Sequence, residues 1–133
     1  MKKIIILFLF SVMYACNSGD SKVTSGVLAP KTFASQLKAN PEIVLIDVRS
    51  SEEMQTGYIA GTHHLDFNGV GFKNSLDSLD RSKTYFVYCA SGKRSGKALE
   101  MMNEMGFKNV AALEGGLRLW NAKGLPMHPP SSF

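Results

Sequence analysis

Ile43-Val44-Leu45-Ile46 is an unbroken apolar run between Pro41-Glu42 and Asp47. A run that short, with no polar residue in alternation, suits a strand covered on both faces, as in a parallel sheet. Thr84 to Tyr88 and Val110-Ala111-Ala112-Leu113 repeat the pattern further along. Helical stripes lie between these runs. Pro30 begins a helix at a position where its missing N–H costs nothing, Phe33 and Leu37 give that helix one apolar side, and Asn40-Pro41 ends it. Ser50 and Ser51, followed by Glu52-Glu53, make an N-cap pattern for a short helix that stops near Gly57. Tyr58-Ile59 and His64-Leu65 flank Gly61. Phe72, Leu76 and Leu79 mark another helix. Ser95 to Met105 forms the next, with Ala98, Leu99, Met102 and Met105 facing inward and Gly106 as its stop. Gly115-Gly116 is a turn, and Leu117 to Ala122 a last short helix. Strands buried on both faces in alternation with helices define an α/β fold with a largely parallel sheet.

The second run, Thr84 to Tyr88, leads directly into Cys89-Ala90-Ser91-Gly92-Lys93-Arg94-Ser95. Cys89 opens a tight loop that reaches Arg94, and the helix is expected to begin at Ser95. A sulfur there sits at the carboxyl end of its strand, where open α/β sheets place ligands. Backbone N–H groups and the positive end of a helix dipole surround it, which favours a thiolate or an anion held against one.

Residues 1–15 stand apart. Lys2-Lys3 precede an apolar run from Ile4 to Phe10, the layout of a secretory signal, and the run falls short of the ~20 residues that span a bilayer. Met13-Tyr14-Ala15-Cys16 resembles the bacterial lipoprotein box, in which the cysteine is lipidated and becomes the new N-terminus; Tyr14 stands where a small residue is usual. Ordinary cleavage nearby is the alternative. Residues 16–27 then read as lipidated Cys16 and a polar, flexible tether, 28–128 as one domain, and 129–133 as a tail. This predicts an exported, periplasmic protein anchored to a bacterial membrane through Cys16. With Lys2 and Lys3 set aside, thirteen basic residues stand against eleven acidic ones, a net charge of +2. No basic block is present, which excludes the usual nucleic-acid-binding surface. With Cys16 taken by the leader, Cys89 has no partner for an internal disulfide, and a lone exported thiol is expected to be reactive.

Four segments in order resemble the rhodanese family, the thiosulfate sulfurtransferases and their single-domain relatives. They are Ile46-Asp47-Val48-Arg49; Gly57-Tyr58-Ile59-Ala60-Gly61-Thr62-His63-His64-Leu65; Cys89 to Ser95; and Leu113-Glu114-Gly115-Gly116 with Trp120 and Gly124-Leu125-Pro126. Together they cover nearly all of Pro30 to Met127. The resemblance implies a rhodanese-like α/β fold, with a small, mostly parallel central sheet of about five strands and helices on both faces. It also implies that Cys89 takes a sulfane sulfur from thiosulfate or a related small anion, becomes a persulfide, and passes the sulfur to a thiophilic acceptor such as cyanide, a thiol or a protein. Ala90, Ser91, Gly92, Lys93, Arg94 and Ser95 would form the donor-binding loop, their amides holding the negative charge and Lys93 and Arg94 attracting the donor. Arg94 could equally tie the loop to a carboxylate. No organic cofactor or metal is implied, since the sulfur is carried on the cysteine itself. In this sequence Tyr58 replaces the usual His, Ala60 the frequent Pro, and Ala90 stands where many members carry Arg, which removes one cation from the pocket.

Lowering a thiol's pKa enlarges its thiolate share but reduces its nucleophilicity, with a Brønsted slope of about 0.4–0.5. The loop's larger service would therefore be to orient the donor and stabilise charge as the S–S bond breaks. Cysteine phosphatases offer a rival chemistry with a Cys-x5-Arg loop; here Cys89 and Arg94 enclose only four residues, a narrower cradle. A non-catalytic binding or persulfide-delivery module is the other alternative. Asp47, Arg49 and His64 read as structural support, holding loops through an ion pair and backbone hydrogen bonds. His63 and His64 are adjacent rather than one helical turn apart, which does not suit a metal site. Trp120 reads as a core anchor, and Met101, Met102 and Met105 as core filling.

Overall fold

The computed structural model describes residues 23–129. The signal (1–15), Cys16, most of the tether and residues 130–133 lie outside them. Five strands form one sheet: β1 (Gly26–Leu28), β2 (Val44–Asp47), β3 (His63–His64), β4 (Thr84–Tyr88) and β5 (Asn109–Leu113), in the order β1-β5-β4-β2-β3. Every pairing is parallel. The helices are α1 (Pro30–Ala39), α2 (Ser51–Met54), α3 (Phe72–Asp77), α4 (Lys93–Glu104) and α5 (Gly116–Ala122).

Apolar runs become strands here because both faces of the sheet are covered. Tyr85 and Val87 of β4, with Val110 and Ala112 of β5 and Ile46 of β2, face Phe72 and Leu76 of α3 and Leu99 and Met102 of α4. The alternate residues Phe86, Tyr88, Ala111, Leu113 and Leu45 face Phe33 of α1 and Leu117 and Trp120 of α5. Phe33 lies 4.7 Å from Phe86, ring centre to ring centre, and meets Trp120 edge-on. Trp120 is thus a core anchor that also donates its indole N–H to the Pro126 carbonyl. Met102 is buried, and Met101 and Met105 pack against the same cluster.

Several boundaries differ from the sequence reading. Gly26 and Val27, assigned to the tether, belong to β1, so the sheet begins two residues before position 28. Only β5 pairs with β1, and Val27 is exposed, which is why this short edge strand lacks the apolar run of its neighbours. Helix α4 opens at Lys93, not Ser95. Gly92 adopts φ +91° and its carbonyl accepts from the Gly96 amide, so Lys93 and Arg94 are first-turn helical residues rather than loop residues. Gly116 likewise joins α5 instead of ending a turn.

Topology fixes the place of the site. The chain leaves β2 toward β3 on one side and leaves β4 toward β5 on the other. The connections after these adjacent strands diverge at their carboxyl ends, which opens the crevice where α/β sheets bind ligands.

Candidate functional site

Cys89 follows the last residue of β4 and lies in that crevice. Its carbonyl accepts from the Leu117 amide at 2.9 Å, and the Ala90 carbonyl from the Arg118 amide at 3.0 Å. Both donors belong to the first turn of α5, whose N–H groups have no partners within their own helix. With these carbonyls turned toward α5, the amides further along the loop turn toward the sulfur. The Gly92 N–H donates to Cys89 Sγ at 3.1 Å and the Ser95 N–H at 3.4 Å, while the Ser95 hydroxyl lies 3.4 Å away. Close packing of backbone on backbone makes this possible. A Cβ on Gly116 would overlap the Cys89 and Ala90 carbonyls, and one on Gly92 would press on Gly115.

The sulfur and Ser95 are buried. Burial alone pushes the Cys89 thiol up, but the Ser95 hydroxyl and the amides of Ser95, Ser91 and Gly92 outweigh it and hold the thiol below its ordinary value. These donors favour the thiolate and are already in place before any substrate arrives. Of the loop residues, Ser95 and Gly92 contact the sulfur directly, Ala90 is half-buried, and Ser91 and Lys93 are exposed.

Arg94 does not stand free. Its guanidinium grips Glu53 through two hydrogen bonds of 2.7 Å, a bidentate pair across 41 residues of sequence. Glu53 also accepts from the Ser50 amide while its own amide donates to the Ser50 hydroxyl, a complete capping box at the start of α2. Chiefly because of the Arg94 hydrogen bond, the Glu53 carboxyl is held down at about 2. The same contact raises Arg94 above its ordinary value, and negative charge at Cys89 and Asp66 adds to the effect. Glu53 is the site residue that sequence reasoning missed. Its capping role was legible, whereas its pairing with Arg94 depends on two connections meeting across the crevice.

Asp47, Arg49 and His64 form a scaffold beside the thiol without touching it. Arg49 binds the buried Asp47 carboxylate through Nε and an Nη at 2.7–3.1 Å, and its guanidinium also donates to the carbonyls of Glu53 and Gly57. His64 Nε2 lies 2.7 Å from the Arg49 carbonyl, which can only accept, so that nitrogen carries the proton. Tyr88 accepts from the Ile59 amide at 3.2 Å, and its hydroxyl is pushed up mainly by burial and then by the Asp47 charge. One cluster therefore anchors the connection after β2, the segment around Gly57 and β3. Among the described residues, no three His, Cys, Asp or Glu side chains are grouped as a metal ion would require, and no helix is long and apolar enough to cross a membrane.

Comparison with known proteins agrees with this geometry. The family model for a rhodanese-like domain matches residues 29–123. A putative sulfurtransferase of Bacillus subtilis, YtwF, is 35% identical over 91 residues, covering 68% of this chain and 85% of its own length. An uncharacterized Synechocystis protein is 34% identical over 107 residues, and this chain spans 58% of its length. The structure of the homodimeric polysulfide-sulfur transferase of Wolinella succinogenes superposes with a TM-score of 0.67 at 31% identity, covering 81% of each chain. The chain belongs to the rhodanese-like family.

Proposed function

We propose that this protein is a sulfurtransferase that carries sulfane sulfur on Cys89. The Cys89 thiolate attacks the outer sulfur of thiosulfate or a related donor. The new Cys89–S bond forms as the donor's S–S bond breaks, and its electron pair leaves with sulfite. The persulfide anion then gives up its terminal sulfur to cyanide, forming thiocyanate, or to a thiolate or protein acceptor, forming a new persulfide. Either step returns the Cys89 thiolate. Charge is conserved, and the sulfur needs no metal or organic carrier.

One observation carries this reading: the Gly92 and Ser95 amides and the Ser95 hydroxyl converge on Sγ at 3.1–3.4 Å. A ring closed this tightly on the sulfur suits an anion one atom larger better than a phosphoryl group with its three equatorial oxygens. Relatives named as sulfurtransferases support the same choice. Export and a lipid anchor at Cys16 are part of the proposal, supported by Lys2-Lys3, the apolar run after them and the Met13–Cys16 box. The chain would then work on the periplasmic side of a bacterial membrane.

The test is intact-mass analysis after incubation with thiosulfate. A gain of one sulfur atom that a thiol reverses, absent in Cys89→Ser, is the expected result. A folded wild-type protein that gains sulfur from neither thiosulfate nor polysulfide would overturn the proposal.

A further inference from the structure

We propose that Glu53 sets the charge of the donor: by engaging both terminal nitrogens of Arg94, it biases the Cys89 loop toward singly charged sulfane donors over doubly charged thiosulfate. This rests on the sulfurtransferase reading and narrows it.

The arginine of the loop is already paired. The residue after the nucleophile is Ala90, which brings no charge. Arg94 lies close enough to Cys89 and Asp66 to respond to their charges, but its guanidinium is bound in a bidentate pair by Glu53. Glu53 therefore offsets the Arg94 charge directly, and Asp66 adds a smaller negative contribution. Lys93, on the same turn of α4, is exposed and has no ion-pair partner among the described residues. It is the remaining cation of the loop. The pair is also fixed from behind, because the capping box with Ser50 holds Glu53 in place. Of the two loop cations, an approaching dianion meets only Lys93 unpaired.

Removing the Glu53 charge adds one unit of positive potential at the mouth. That stabilises a dianion about twice as much as a monoanion, so the preference between them moves by one further unit-charge interaction. For a half-exposed site we expect about a tenfold change, between the small worth of exposed ion pairs and the larger Coulomb energy of partly buried charges.

Thiosulfate and the methanethiosulfonate anion make the comparison. Both deliver one sulfane sulfur to the thiolate, releasing sulfite and methanesulfinate respectively, and they differ by one charge. With cyanide as acceptor, thiocyanate formation gives kcat/KM for each donor. Glu53→Gln preserves the capping box, since its amide oxygen can still accept from Ser50. It should raise the thiosulfate-to-methanethiosulfonate ratio about tenfold. Arg94→Gln should lower the ratio by a similar factor, the double variant should return near the wild-type ratio, and the gain should shrink at high ionic strength, none of which follows from a merely structural role. In the wild-type protein, rising salt should not slow thiosulfate markedly more than methanethiosulfonate. That measurement stands whether or not the variants fold.

Thiocyanate from both donors with an unmoved ratio in Glu53→Gln would overturn the role of Glu53 alone. So would an Arg94→Gln ratio no lower than wild type, or a wild-type rate that falls with salt far more steeply for thiosulfate. No thiocyanate from either donor, together with no persulfide on Cys89, would overturn the sulfurtransferase reading and this one with it.

Discussion

Replacing Gly116 by alanine tests whether α5 braces the Cys89 loop. At φ +57° an alanine costs about 1–2 kcal/mol relative to an ordinary helical residue. Its Cβ would lie 2.5 Å from the Cys89 oxygen and 2.6 and 2.7 Å from the Ala90 carbonyl carbon and oxygen. These are backbone atoms, so no side-chain rotation relieves the overlap. These two successive peptides must move, and the bonds they accept from Leu117 and Arg118, at 2.9 and 3.0 Å, stretch or break at about 1 kcal/mol each. The combined loss should be about 3–4 kcal/mol, a large part of the ~5–15 kcal/mol that holds a domain of this size together. Urea denaturation of the purified chain measures it as a lower midpoint at unchanged slope. Displacement of the two peptides should carry the Gly92 and Ser95 amides away from Sγ, so persulfide loading should slow by more than the unfolded fraction explains. Gly96 is the internal control: it lies inside α4 without a positive φ, and a Cβ added there meets no atom within 4 Å. Gly96→Ala should therefore stabilise by about 0.5–1 kcal/mol. A Gly116→Ala protein that loses under about 1 kcal/mol and loads sulfur at the wild-type rate would refute the bracing argument.

Asp47→Asn leaves the buried Arg49 guanidinium without its counter-charge, although the Glu53 and Gly57 carbonyls still hold it. The expected cost is about 3 kcal/mol, read from the urea midpoint, and a loss below about 1 kcal/mol would show the pair to be dispensable. Acid titration tests the Glu53–Arg94 pair. The Glu53 carboxyl is depressed from 4.5 to about 2, so its stabilisation is complete above about 4.5 and is lost as pH falls toward 2. Because the pair is partly exposed, the stability gap between wild type and Glu53→Gln should be only about 1 kcal/mol at neutral pH, closing across that window. A gap that does not close would assign the effect to packing. Lys93→Ala should raise the apparent KM for an anionic donor about two- to fivefold with little change in kcat, and an unchanged KM would remove Lys93 from donor attraction.

How far the sequence revealed this molecule depends on the range of the interactions involved. The strands after Pro41 and Lys83 were legible because burial on both faces leaves no room for a polar residue in Val44–Ile46 or Tyr85–Val87. Helix α1 was legible because Pro30 and the stop at Asn40 act within one turn of the ends they define. Cys89 stood out because a strand, a glycine and a helix follow one another within a few residues. By contrast, β1 is a Gly-Val-Leu segment that becomes a strand only by pairing with β5, residues from opposite ends of the domain. The start of α4 lies two residues before its expected place because Gly92, in a left-handed conformation, can both close a loop and cap a helix, and a Cβ there would press on Gly115, 23 positions later. The charge state of the site was the least accessible feature. Arg94, five residues after the nucleophile, reads equally as a donor contact or as a tie to a carboxylate, and the carboxylate that binds it comes from α2. Local pattern places the sulfur; only the meeting of the connections after β2 and β4 decides which charges face it.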